Sequence, residues 1–158
     1  MPDVLWVAAG LLLALPADMK PAAVAVERIA VSGLQPPALG HTDQLFCSWS
    51  NGGGASIALH WWNAPNPPRD LGPLSTAESW DTSIDGHSVS AARTDMFMGR
   101  KEEVLVAWPS LAGLKASAML HARGLSREQF DHMLKQGRIV EDRQPWSMTC
   151  EPAPQGSR

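Results

Sequence analysis

The chain has 158 residues, of which 44% are apolar and 18% charged, and this composition indicates a folded globular domain rather than a disordered segment. Its formal net charge of −3 argues against a protein that binds nucleic acid mainly through phosphate contacts. Thirteen prolines and thirteen glycines indicate short elements joined by many turns.

The chain starts with an apolar run, residues 4–17, with the sequence VLWVAAGLLLALPA. A membrane-spanning helix needs roughly 20 residues, so this run suits the apolar centre of a secretory signal better than a stable transmembrane span. We therefore predict a signal segment at residues 1–17, a single globular domain at 22–152 and a disordered tail at 153–158. The alternatives are an N-terminal helix or strand buried in the core and an uncleaved anchor.

The two cysteines, Cys47 and Cys150, lie in dissimilar sequence contexts. They do not form the C-x-x-C spacing that is typical of zinc sites and thioredoxin-like motifs. Two such thiols pair in an oxidising compartment, so the export prediction carries with it a Cys47–Cys150 disulfide. The alternative is a cytosolic protein in which both thiols are buried and free.

The clearest local pattern is a hairpin in which QLFCSWS and ASIALHWW flank the turn sequence NGGG. Glycine favours such a turn because it adopts positive φ without steric cost. With the turn at residues 51–54, we expect Trp61 on the main core face and Trp62 on the face that carries Cys47. A change of one residue in the turn would exchange these faces.

Residues 63–73, NAPNPPRDLGP, contain four prolines and therefore predict a stiff exposed loop without regular structure. A stiff loop loses little conformational entropy when it docks, which favours a role in binding a partner. The alternative is that the neighbouring tryptophans are buried and purely structural. The predicted partner-binding residues are Trp62, Asn66, Arg69, Asp70 and Trp80.

The next segment predicts short strands around a turn at Asp85 and Gly86, followed by a buried strand, EVLVAW, that ends at Pro109. Proline ends the strand in this prediction because it lacks the N–H that a sheet ladder needs.

The last third of the sequence predicts two helices. Apolar residues recur near helical spacing in residues 111–124, and Gly124 is the predicted end. Ser126 and Gln129 form a capping box at the start of a second helix, which Gly137 ends in a left-handed conformation. The predicted fold is an α+β domain: a mostly antiparallel sheet with two C-terminal-half helices packed on one side.

The sequence lacks the common motifs of nucleophilic, zinc-dependent and phosphate-binding catalytic sites. No serine lies in G-x-S-x-G, no histidine pair has the H-x-x-x-H spacing of zinc ligands, and no phosphate-binding glycine loop precedes a predicted helix. We therefore predict a non-enzymatic protein without metal or cofactor. Its predicted role is to bind another protein, as an inhibitor or immunity protein, in the periplasm or outside the cell.

A cytosolic DNA-binding or regulatory protein is the alternative function. The predicted two-helix unit at residues 111–137 resembles a helix-turn-helix, in which the second helix enters the major groove. The exposed face of that helix mixes both charges, which is typical of a solvated surface, so we expect no nucleic-acid partner. These charged residues are Arg127, Glu128, Asp131 and Lys135.

Overall fold

The computed structural model describes residues 3–8, 10–30, 41–62, 75–97, 99–111, 116–139 and 150–153. Within these ranges the chain forms eleven β-strands and one α-helix, α1 (Arg127–Gln136). No helix in the described ranges has the length and apolar character needed to cross a bilayer. The strands are β1 (Val4–Ala8), β2 (Leu11–Leu15), β3 (Lys20–Ala30), β4 (His41–Ser50), β5 (Ser56–Trp62), β6 (Ser75–Ile84), β7 (His87–Met96), β8 (Val104–Leu111), β9 (Ala116–Arg123), β10 (Arg138–Ile139) and β11 (Cys150–Pro152).

The strands form two antiparallel sheets. The large sheet has seven strands in the order β3-β4-β5-β9-β8-β7-β6, and the small sheet has four in the order β10-β2-β1-β11. The prediction of a mostly antiparallel sheet is confirmed. The described residues contain one helix instead of the predicted two, and it packs against β6 and β2.

The main hydrophobic core lies between the large sheet and a layer made of the small sheet and α1. Alternate residues of a strand point to opposite faces, so one parity of β4 and β5 faces this core. Trp6 of β1 meets Trp49 of β4 in an edge-to-face contact, with the ring centroids 5.7 Å apart. The buried residues that β4, β5 and α1 contribute are Leu45, Cys47, Trp49, Ile57, Leu59, Trp61, Phe130, Met133 and Leu134.

The N-terminal apolar run forms the β1–β2 hairpin, whose register pairs Val4 with Leu15 and Ala8 with Leu11. All five residues of β2 are buried, and β1 and β2 are the two central strands of the small sheet. The signal segment at residues 1–17 stays a prediction, and its cleavage would remove both strands from the core.

The β4–β5 hairpin differs from its prediction by one residue. Its turn spans residues 51–55: the Asn51 N–H donates to the Ala55 carbonyl over 3.2 Å. Cys47 consequently pairs with Leu59, and Cys47 and Trp61 both face the main core. The prediction that Trp62 shares the face of Cys47 is therefore wrong, because an added turn residue reverses the parity of one strand against the other.

The first predicted helix is wrong, because residues 116–123 form β9, hydrogen-bonded between β5 and β8. Ala118, Leu120 and Ala122 face the core at a spacing of two, and the intervening residues face the other side. Small residues at this spacing fit a strand as well as a helix, and the neighbouring strands decide between them. In the described part of residues 111–137 there is consequently no helix-turn-helix unit.

The predicted capping box of α1 is confirmed. The Ser126 hydroxyl accepts from the Gln129 N–H over 3.1 Å, and the Gln129 side chain accepts from the Ser126 N–H over 2.8 Å. Gly137 follows the helix with φ −70°, so the prediction of a left-handed end is wrong. A side chain there would meet Ile84, whose Cδ1 would lie 2.9 Å from an added Cβ. Glycine at this position allows the chain to pass close to β6.

The turn at Asp85 and Gly86 is confirmed, with φ of 49° and 77° at the two residues. The Asp85 carboxylate accepts from the Ile139 N–H over 3.0 Å and so joins the tip of the β6–β7 hairpin to β10. The prediction that Pro109 ends the following strand is wrong, since β8 continues to Leu111.

Candidate functional site

The face of the large sheet that points away from the main core carries a second cluster of side chains, which rests on buried Val104, Val106 and Met119. It forms because the non-core parity of β4, β5 and β9 brings polar and aromatic side chains onto neighbouring central strands. We call this surface the histidine face and define it by Phe46, His60, Trp62, Phe97, Glu102, His121 and Arg123.

The rings of the histidine face lie in direct contact with one another. His60 is at the centre, with Phe46 edge-on at 4.8 Å and Trp62 and His121 stacked on it at 6.0 and 5.4 Å between ring centroids. Phe97 lies 4.9 Å from the His121 ring. These separations are those of contacting aromatic pairs and leave no room for a ligand between the rings. The cluster is therefore tightly packed, and only part of it reaches solvent: the half-buried members are Phe46, His60, Glu102 and Arg123.

Arg123 and Glu102 form an ion pair at the edge of this surface. The guanidinium donates to both carboxylate oxygens, with Nη2 3.0 Å from Oε2. The pair lowers the pKa of Glu102 and raises the pKa of Arg123. Both side chains are about one-third exposed, at 36% and 33%, so solvent screens the pair and its main effect is to fix the guanidinium beside the rings.

His121 is the buried titratable group of the histidine face, and its residue is 7% exposed. Burial, together with the nearby charges of His60 and Arg123, lowers the pKa of His121 to about 3. The Arg123 Nη1 lies 3.4 Å from Nδ1 of His121. A guanidinium can only donate, so Nδ1 accepts and the proton of the neutral ring lies on Nε2. The imidazole is thus neutral at neutral pH.

Trp62, predicted to contact a partner, is 2% exposed at the end of β5. Its Nε1 donates to the Gln44 side chain over 3.2 Å, which satisfies the indole inside the cluster. Trp62 therefore supports the histidine face from beneath rather than projecting from it.

Trp80, the other predicted contact tryptophan, lies on β6 beneath α1. Its Nε1 donates to the Asp131 carboxylate over 2.9 Å, and the Arg127 guanidinium lies 4.3 Å from the ring centroid. Trp80 packs against the main core, so it and Trp62 lie on opposite faces of the large sheet and do not form one surface. The predicted contact residues Asn66, Arg69 and Asp70 lie outside the described residues.

Cys47 and Cys150 are free thiols that pack in the same core cluster. Cys47 is fully buried on the core face of β4, and Cys150 is half-buried at the start of β11. The two cysteines lie near each other, but not at disulfide distance. The disulfide between them stays a prediction.

The pairing of His60 with His121 does not follow from the spacing of the histidines along the chain, because the two residues lie on different strands. The available signal was the alternation in β9, where Ser117, His121 and Arg123 interleave with small apolar residues. That signal becomes informative only when residues 116–123 are treated as a strand beside β5. Within the described residues, no group of three or more His, Cys, Asp or Glu side chains is placed to hold a metal ion.

Comparison with known proteins found no family model, no curated protein and no solved structure that matches this chain. The assignment of the histidine face as the candidate site therefore rests on its geometry and chemistry.

Proposed function

We propose that this is a non-enzymatic protein that binds another protein through the histidine face. The observation that carries the proposal is the convergence of the half-buried rings of Phe46 and His60 with the fixed guanidinium of Arg123. Aromatic and arginine side chains supply a large share of the energetic hot spots in protein interfaces. A packed surface of contacting rings suits a macromolecular partner better than a small ligand, which needs a concave pocket.

The electrostatics of His121 support binding rather than catalysis. A general base is most effective when its pKa lies near the working pH. Burial and neighbouring charge bring the pKa of His121 to about 3, so the ring is a weak base at neutral pH. Contact with Phe97 and His60 also surrounds it with other rings. Its role in this proposal is to fix the neighbouring side chains.

The proposed partner lies in the periplasm or outside the cell, where this protein acts as an inhibitor or immunity protein. Two neighbouring cysteines in one core cluster suit an oxidising compartment, in which they would pair, and this supports the proposed location. In this proposal residues 4–15 remain in the folded protein, because they supply the central strands of the small sheet. The DNA-binding alternative has no helix-turn-helix to support it, because β9 and α1 stand in place of the two predicted helices.

The proposed surface includes the proline-rich loop that follows Trp62. That loop continues directly from β5, the strand that carries His60, and its Asn66, Arg69 and Asp70 add polar groups suited to the rim of an interface.

Affinity capture from the envelope and secreted fractions of producing cells tests the proposal. Phe46→Ala and His60→Gln each change the histidine face, and Arg69→Ala with Asp70→Ala changes the loop. The control is Glu128→Ala with Lys135→Ala, on the exposed side of α1.

We expect the wild type and the control to capture the same partner. The histidine-face variants should lower its affinity about tenfold or more, which corresponds to roughly 1.4 kcal/mol. Thermal unfolding of each variant verifies that the fold is retained. Equal capture by all folded variants would contradict the proposed surface. If only the loop variant lost capture, the binding surface would lie in residues 63–74 and not on the histidine face.

A further inference from the structure

The two thiols of the chain meet where the small sheet packs on the large one. We propose that Cys47 and Cys150 are an oxidisable pair, whose reversible disulfide clasps β11 of the small sheet to β4 of the large sheet. This inference concerns the closure of the small sheet and is independent of the binding function proposed for the histidine face.

The strand geometry places the two cysteines near each other on the main core. Cys47 points from β4 into the main core, opposite Leu59 of β5. Cys150 opens β11, pairs with Ala8 of β1 and packs against the same core. Because both side chains pack in the same core cluster and lie near each other, a local shift of the short strand β11 closes the bond without a change of strand register.

The chemistry is a two-step exchange with a small-molecule disulfide, such as oxidised glutathione. The thiolate of half-buried Cys150 attacks one sulfur of the oxidant and releases one glutathione thiolate. The thiolate of Cys47 then attacks the Cys150 sulfur and releases the second. The protein loses two electrons and two protons, and both are recovered in two molecules of glutathione.

Contact with the Cys47 sulfur, together with burial, raises the pKa of the Cys150 thiol. The thiolate is the attacking species, so the exchange is slow at neutral pH and accelerates at alkaline pH.

The clasp would control one edge of the small sheet. β11 has three residues and covers the outer edge of β1 through three residue pairs. Beyond the strand pairing, the Ala153 N–H donates to the Leu5 carbonyl over 2.8 Å. So short a strand opens readily when it is held by hydrogen bonds alone, and opening it exposes the backbone of β1. A covalent link to β4 would suppress that opening.

The test uses the purified full chain, equilibrated with reduced or oxidised glutathione at mildly alkaline pH. Intact-mass measurement and thiol counting report the bond, and hydrogen exchange of the β1 amides reports the edge. We expect oxidation to remove two hydrogens and both free thiols. We also expect it to slow exchange in Val4–Ala8 by about tenfold or more relative to the reduced chain.

A matched control is the double variant Cys47→Ala with Ser48→Cys, which keeps two thiols but moves one to the opposite face of β4. It should form no internal disulfide, and oxidation should leave exchange in β1 unchanged. A wild type that retains free thiols or stops at glutathione adducts would overturn the pairing. Equal β1 exchange in its reduced and disulfide forms would overturn the clasp.

Discussion

The large sheet buries the imidazole of His121 away from water and keeps it neutral. The ring lies against Phe97, stacks on His60 and accepts from Arg123, so protonation would place a second charge beside the guanidinium. The folded protein therefore disfavours the proton that the unfolded chain accepts with an ordinary histidine pKa.

This difference predicts a loss of stability in acid that depends on His121. The folded pKa is about 3 and the ordinary value is 6.5, so the unfolded chain binds more protons between them. The neutral ring makes its full contribution to the free energy of unfolding above pH 6.5, and this contribution is lost as the pH falls towards 3. Each pH unit in that window costs at most about 1.4 kcal/mol in the free energy of unfolding.

Urea unfolding across this pH range, for the wild type and His121→Gln, measures the effect. Glutamine keeps an acceptor for Arg123 and does not titrate, so the variant should show a shallower decline with falling pH. The readout is the slope, which is insensitive to a uniform change in stability. Parallel curves would mean that His121 is not the group that titrates.

At the scale of single elements, α1 is held to the edge of the large sheet by polar contacts around one indole. Trp80 donates to Asp131, Arg127 lies over its ring, and Arg127 also donates to Glu78 on β6. The helix thereby lies over the core-side face of β6, the edge strand of the large sheet.

Trp80→Phe should weaken this attachment while keeping most of the ring contact. The loss of the Nε1 bond to Asp131 is expected to lower the free energy of unfolding by about 1 kcal/mol. Lys135→Ala serves as the reference, because it removes an exposed ion pair with Asp131 and should cost no more than about 0.5 kcal/mol. Urea unfolding compares the two, and an equal effect would show that the indole bond does not hold the helix.

The sequence could predict elements whose signals are local and could not predict those that their neighbours decide. The capping box of α1 and the turn at Asp85 depend on a few adjacent residues, and both are confirmed. The assignment of residues 116–123 depends on β5 and β8, because small residues fit either periodicity. The positions of Cys47 and Trp62 depended on a single turn residue, so the prediction of their faces failed although the hairpin itself was correct.

At the scale of the whole molecule, the N-terminal hairpin joins the two layers. Trp6 meets Trp49 across the core, while β2 lies between β1 and β10 and contacts α1. An apolar run of this length is typical of a secretory signal, but the same composition suits strands that are buried over their full length. Sequence composition alone does not separate these two uses.

A chain that begins at Asp18 should fail to fold cooperatively. It lacks both central strands of the small sheet and leaves the core side of Trp49 and Trp61 without its cover. Circular dichroism and thermal unfolding check this, with the full chain as the control. A cooperative transition in the shortened chain would show that residues 4–15 are dispensable, as cleavage of a signal segment requires.

The claim that the histidine face binds a protein partner is tested most directly by photo-crosslinking in producing cells. A photoreactive benzoylphenylalanine at position 46 places the probe among the rings of His60 and Trp62, and the same group at position 128 marks the exposed side of α1. If the histidine face binds a protein partner, position 46 should give one discrete protein adduct and position 128 none. An adduct from position 128 alone, or no adduct from either position, would contradict it.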